Sequence, residues 1–225
     1  MGMAAKQEAT VTSPSGNLTL TAGVDKVGRP YYSLSRGKEA ILLPSYLGVK
    51  LKDGSLDSDF GVMGFVRATK DETWHQPWGE ENDVRNHYNE LTMKLAQRKG
   101  LKRQLTIVFR VFDDGMGFRY VFPEQKNLKH FVIMDEETEF CFKGDPEAWT
   151  LPYDADYYEG LWTKAPLSKK QKVCTPITIE AKPDLYMMLH EANLTDYASL
   201  NVKPVETKEG NVRMRAELVP WSNGD

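Results

Sequence analysis

A chain of 225 residues is long enough for one large β domain or two small ones, with a sizeable buried core. Its 29 basic and 32 acidic residues are well mixed and leave a formal net charge of −3, so no basic stripe marks a nucleic-acid partner. The longest apolar runs, such as Ile41-Leu42-Leu43, are too short to span a membrane, and Met1 to Thr10 has no apolar stretch that could serve as a signal peptide.

Met1 to Thr10 reads as an artificial start or a disordered tail. Residues 11 to 225 then read as a single β-sandwich domain. The Ser13 to Asn17 turn leads into Leu18 to Leu20. Val24 to Pro30 is turn chemistry, followed by the β-rich Tyr31 to Ser35. Ser35 to Glu39 turns again into Ile41 to Leu43. This spacing suits a sandwich or barrel. Leu47 to Leu51 alternates, Asp53 to Asp59 reads as a polar loop, and Phe60 to Thr69 as a strand. Lys70 to Arg85, with Trp74, Pro77, Trp78 and Gly79, reads as a long irregular loop of the kind that often carries function.

Asn86 to Ala96 has helix-forming residues, but Leu91, Met93 and Leu95 alternate with polar ones, which favours a strand. Leu105 to Phe112 is the clearest strand. It returns through the Asp113 to Gly117 turn into Phe118 to Phe122, a hairpin with Asp-Gly chemistry. Phe131 to Met134 and Thr138 to Phe142 follow. Gly144 to Lys172 reads as an excursion loop rich in Trp149, Tyr153, Tyr157, Tyr158 and Trp162, a surface that suits sugars. Ile177 to Ile179, Leu185 to Leu189 and Val212 to Leu218 are the last strands. The break at Pro220 to Asp225 leaves room for missing last strands. The two cysteines, Cys141 and Cys174, make no disulfide framework and read as free thiols.

No GxGxxG, P-loop, GxSxG or HExxH motif is present, and no Cys/His spacing suggests zinc. Three segments concentrate chemistry. Trp78 to Glu90 gathers Trp78, Arg85, Asn86, His87 and Tyr88, groups that stack on and hydrogen-bond hydroxyl-rich ligands. A surface loop pinned by ion pairs and a packed tryptophan accounts for the same residues. Phe109 to Tyr120 fixes a fold and not a reaction. Leu185 to Leu194 is apolar on both faces and ends in His190-Glu191. A strand buried on both sides leaves the carboxylate at its mouth in need of a donor or a cation. Ca²⁺, which takes oxygen ligands, suits that position, and so does an arginine partner.

Ser13 to Leu18, Trp74 to Glu90, Phe109 to Pro123 and His190 to Tyr197 together resemble glycoside hydrolase family 97. The resemblance runs through nearly the whole chain in the right order, and the WGE…RNHYNE stretch of Trp78 to Glu90 is its most specific part. It implies an all-β fold, a galactose-mutarotase-like β super-sandwich, that packs on the enzyme's own (β/α)₈ barrel. It implies no catalytic residue in this chain, because the acid and base lie in the barrel. It implies that Glu191 is lent to a calcium site at the shared active site, with His190, Trp78, Arg85, Asn86 and His87 near the carbohydrate. The substrates implied are α-glucosides or α-galactosides, and the location is periplasmic or otherwise exported from a bacterium. The isolated chain is then expected to be inactive. A free-standing carbohydrate-binding module is the alternative. A mutarotase-like isomerase using His190 and Glu191 is a third reading.

Overall fold

The computed structural model describes residues 7–154 and 159–219. The expected tail therefore falls mostly outside the described residues, as do Tyr157, Tyr158 and the break after Val219. The chain forms two compact units, Met1–Ala40 with Ser58–Lys129, and Ile41–Asp57 with His130–Asp225.

The strands, in chain order, begin with β1 (Glu8–Thr12), β2 (Leu18–Val24), β3 (Pro30–Arg36), β4 (Glu39–Tyr46), β5 (Val49–Leu51) and β6 (Gly54–Leu56). Next come β7 (Phe60–His75), β8 (Asp83–Gln97), β9 (Gln104–Val111), β10 (Met116–Val121), β11 (Ile133–Glu136) and β12 (Glu139–Phe142). The last are β13 (Glu147–Pro152), β14 (Thr163–Pro166), β15 (Val173–Lys182), β16 (Leu185–Leu189), β17 (Leu200–Lys208) and β18 (Asn211–Leu218). Every pairing recorded is antiparallel, and the one helical turn among the described residues is Leu167–Lys169. The all-β expectation holds.

In the first unit, β1, β2 and β3 form a meander, and β10-β9-β8-β7 form a four-stranded sheet. The two layers meet through alternate side chains. Leu20 and Tyr32 from one layer and Leu91, Met93, Leu105, Ile107 and Phe109 from the other are fully buried. Each such side chain stabilises the fold by roughly 1.5–3 kcal/mol relative to exposure. The Tyr32 ring centre lies 6.1 Å from Phe109 and 5.4 Å from Phe118. The alternation that favours a strand over a helix at Asn86 to Ala96 is thus the pattern that fills this core.

Three expectations are corrected here. β1 begins at Glu8, because Ala9 and Val11 are already buried against the meander. The irregular segment shrinks to 76–82, because β7 and β8 pair residue by residue out to His75 and Asp83. Backbone pairing carries this hairpin where side-chain burial does not. From Val66 to His75, β7 is exposed throughout. Finally, the polar Asp53 to Asp59 segment contains β6, which turns back on β5 through Gly54.

In the second unit, β4-β12-β18-β17-β15-β13-β14 form the main sheet, with β16 paired to β15, and β11-β5-β6 form a small one. β12 is buried along its whole length. Its Glu139 is neutralised by Arg213, which also donates to Glu206 at 3.3 Å. Cys141 is a buried free thiol and Cys174 is free and half-buried. The expected excursion loop from Gly144 to Lys172 contains β13 and β14, because Ala148 and Thr150 alternate inward and are fully buried. β17, absent from the sequence reading, pairs with β18 over its whole length.

Candidate functional site

Glu191 lies two residues beyond Leu189, the last residue of β16. The strand pairs only with β15, so its outer edge is open, and its exposure alternates. Tyr186 is 57% and Met188 68% exposed. The strand is therefore not buried on both sides. Its apolar residues crowd the sequence, but those on one face have nothing packed over them. His190 is exposed beside Glu191.

Glu191 itself is half-buried. Its Oε2 accepts the backbone N–H of Leu200 at 2.9 Å, which closes the loop between β16 and β17. Its Oε1 makes no hydrogen bond or ion pair among the described residues. The same loop is anchored a second time. Tyr197 donates its hydroxyl to Glu136 Oε2 at 2.9 Å, and Thr138 donates to Glu136 Oε1 at 2.5 Å. Burial pushes the Glu136 carboxyl up, against the pull of those two donors. The Tyr197 phenol is likewise raised, first by burial and then by the neighbouring Glu136 carboxylate.

No three His, Cys, Asp or Glu side chains among the described residues stand close enough to hold a metal ion together. Glu191 can supply one oxygen, whereas Ca²⁺ takes about 6–8. Glu136 is committed to Tyr197 and Thr138. The donor chemistry fits a hard cation, but the described residues do not complete its shell.

The other predicted site residues lie in the first unit, on the β7–β8 hairpin. Trp78 is 82% exposed at its tip. Arg85 makes a two-pronged ion pair with Asp71, Nε–Oδ1 2.8 Å and Nη2–Oδ2 2.7 Å. His87, two residues on and on the same face, comes within 4.0 Å of Asp71 Oδ2. Asn86, on the opposite face, donates to Glu72 at 3.0 Å. The Arg85 hydrogen bonds hold Asp71 below the ordinary carboxylate range. Lys70 and then Asn86 do the same for Glu72. The motif thus ties one strand of the hairpin to the other. Deeper in, Arg110 reaches Glu90 at 2.9 Å and lies 4.5 Å from the centre of the Tyr88 ring.

The sequence reading missed Glu136, Thr138 and the Leu200 amide. Their relation to Glu191 and Tyr197 is made by pairing across strands far apart in the chain, and no local signal marks it.

An all-β domain of this fold is found within glycoside hydrolases. A glycoside hydrolase family 97 enzyme from Pseudoalteromonas sp. strain K8, solved in complex with acarbose, matches at a TM-score of 0.88 and 31% identity over 96% of this chain and 32% of its own. A β-arabinopyranosidase shares the fold at a TM-score of 0.84 and 24% identity, over 93% of this chain and 35% of its own. The family model described as glycosyl-hydrolase 97 N-terminal matches residues 11–222, so the chain belongs to that family. A retaining α-galactosidase of Bacteroides thetaiotaomicron is 27% identical over 98% of this chain and 34% of its own length. A probable retaining α-galactosidase of Streptomyces bingchenggensis is 26% identical over 69% and 23%. The chain spans about a third or less of the length of these curated relatives.

Proposed function

We propose that this domain packs on the (β/α)₈ barrel of an α-glycosidase and contributes Glu191 to a calcium site in the active centre. The substrates would be α-galactosides or α-glucosides. The family membership supports the enzyme class. The observation that carries the role of Glu191 is its half-buried carboxylate, held by the Leu200 amide through Oε2 while Oε1 remains uncommitted. A bound calcium would act as a Lewis acid and template beside the scissile bond. In this chain Leu200 and the Tyr197–Glu136 anchor would hold the carboxylate in place. An exported bacterial enzyme fits the same reading.

The test uses two proteins. The 225-residue chain alone should hydrolyse neither p-nitrophenyl α-galactoside nor p-nitrophenyl α-glucoside. In the longer enzyme, Glu191→Gln should weaken calcium binding, measured directly by calorimetry, and lower activity in parallel. Turnover by the chain alone would overturn the proposal, as would a Glu191→Gln enzyme with unchanged calcium affinity.

A further inference from the structure

Four strands of the second unit, β14, β13, β15 and β16, present one outward face built from two adjacent rows. The register places Lys164, Trp149, Thr178 and Met188 side by side in the first row. It places Pro166, Glu147, Glu180 and Tyr186 in the second. The opposite face carries Ala148 and Ile179, which are fully buried. The outward rows are therefore held on a rigid, well-packed backing.

An open cleft of about 390 Å³ lies on this face, lined by Trp149, Trp162, Thr178 and Tyr186. That volume is within the roughly 300–1,000 Å³ of small-ligand sites. Trp149 and Tyr186 stand with ring centres 6.4 Å apart and planes inclined by 37°. Trp162 is 53% exposed. Two exposed aromatic side chains, Trp162 and Tyr186, beside a half-buried Trp149 on one surface are a binding feature that core packing does not require.

The polar groups around the rings narrow the ligand. Lys164 Nζ sits 4.4 Å from the centre of the Trp149 ring, 3.0 Å from Glu147 and 2.6 Å from Glu180. A cationic ligand would find the Trp149 ring already occupied by a cation. An anionic ligand would meet two carboxylates against one ammonium. A purely apolar ligand would strip water from the Thr178 hydroxyl and from the Tyr186–Glu180 contact at 3.4 Å. The remaining class has a C–H face to lay on the rings and hydroxyls at its rim to meet Thr178, Tyr186 and Glu180.

We infer that this cleft is a binding site for a neutral hexopyranoside. It lies in the second unit alone and uses none of the residues assigned to calcium. Its readout is binding and not hydrolysis, so it stands or falls separately from the proposed function.

The experiment titrates the chain with maltotriose and with methyl α-galactopyranoside, followed by calorimetry and saturation-transfer NMR. Galacturonate serves as the anionic counterpart. Saturable binding of at least one neutral sugar is expected, with galacturonate weaker. Tyr186→Ala and Trp162→Ala remove exposed rings and should each weaken binding about tenfold, equivalent to about 1.4 kcal/mol. Leu101→Ala, an exposed side chain of the first unit, should leave it unchanged. Absence of saturable binding by either sugar would overturn the inference. So would binding that survives both ring deletions, or binding lost in Leu101→Ala instead.

Discussion

Tyr197 reaches Glu136 across 2.9 Å and so fastens the loop that carries Glu191 to a strand of a different sheet. Replacing Tyr197 with Phe leaves Oε2 of the half-buried Glu136 carboxylate without its donor. That should destabilise the fold by about 1–3 kcal/mol, at the lower end because the Tyr197 ring is partly exposed. A lower urea midpoint with an unchanged slope would show it. An unchanged midpoint would mean that this bond does not hold the loop.

Glu217 lies between Lys203 and Lys172, the latter at 3.1 Å. The Lys203 hydrogen bond is the first cause of its lowered proton affinity, opposed by burial and reinforced by Lys172. A carboxyl whose affinity is lower in the folded chain binds more protons when unfolded, so stability rises with pH through that window. Glu217→Gln should therefore cost roughly 0.5–1 kcal/mol near neutrality. The deficit should be full above roughly pH 4.3, the ordinary glutamate value, and close as pH falls below it. Urea midpoints of the two proteins across the acid range measure this directly.

Phe109 is fully buried and lies 6.1 Å from Tyr32 and 6.0 Å from Phe118. It links the two layers of the first unit. Phe109→Ala should destabilise by about 3–5 kcal/mol, the range for emptying a packed aromatic site. Thermal unfolding followed by near-ultraviolet circular dichroism would report it.

The outer half of the β7–β8 hairpin predicts the opposite outcome. Arg85 and Asp71 pair on the exposed surface, where an ion pair is screened. Arg85→Ala should leave the global unfolding midpoint where it was. Hydrogen exchange should instead reveal a gradient. Amides near Thr73 and Arg85 should exchange far faster than those at Leu91 to Leu95, because local opening there exposes no core. Uniform protection along both strands would contradict this.

Where side chains are buried with period two, the sequence was a good guide. Leu91, Met93 and Leu95 alternate in the chain and all three are fully buried. The hairpin after Phe112 is equally legible, although its turn is tighter than the sequence suggests, since Met116 and Gly117 already belong to β10 and pair with Val111 and Arg110. Legibility fails where pairing occurs without burial. Lys70 to His75 has no apolar period and reads as a loop, yet each residue has a partner on β8. It fails again at β16, where Tyr186 and Met188 suggest a buried strand and stand open instead. The family motif singles out Glu191, whereas the groups that hydrogen-bond around it carry no such signal. Leu200, Thr138 and Glu136 are brought to that loop by strand order, which local patterning does not encode.

The exposed half of the β7–β8 hairpin has one further consequence. Inside the sandwich, a change at Leu91 or Phe109 is judged first by whether the protein still folds. From Val66 on β7 through the tip at Asn82 no such filter acts, because the side chains there fill no space in the core. Substitutions can accumulate in that stretch at little risk to the rest of the domain. Any residue held constant there across species, Trp78 foremost, would be held by what it touches outside this domain. Comparing drift in the two halves of a single hairpin would separate selection for folding from selection for contact.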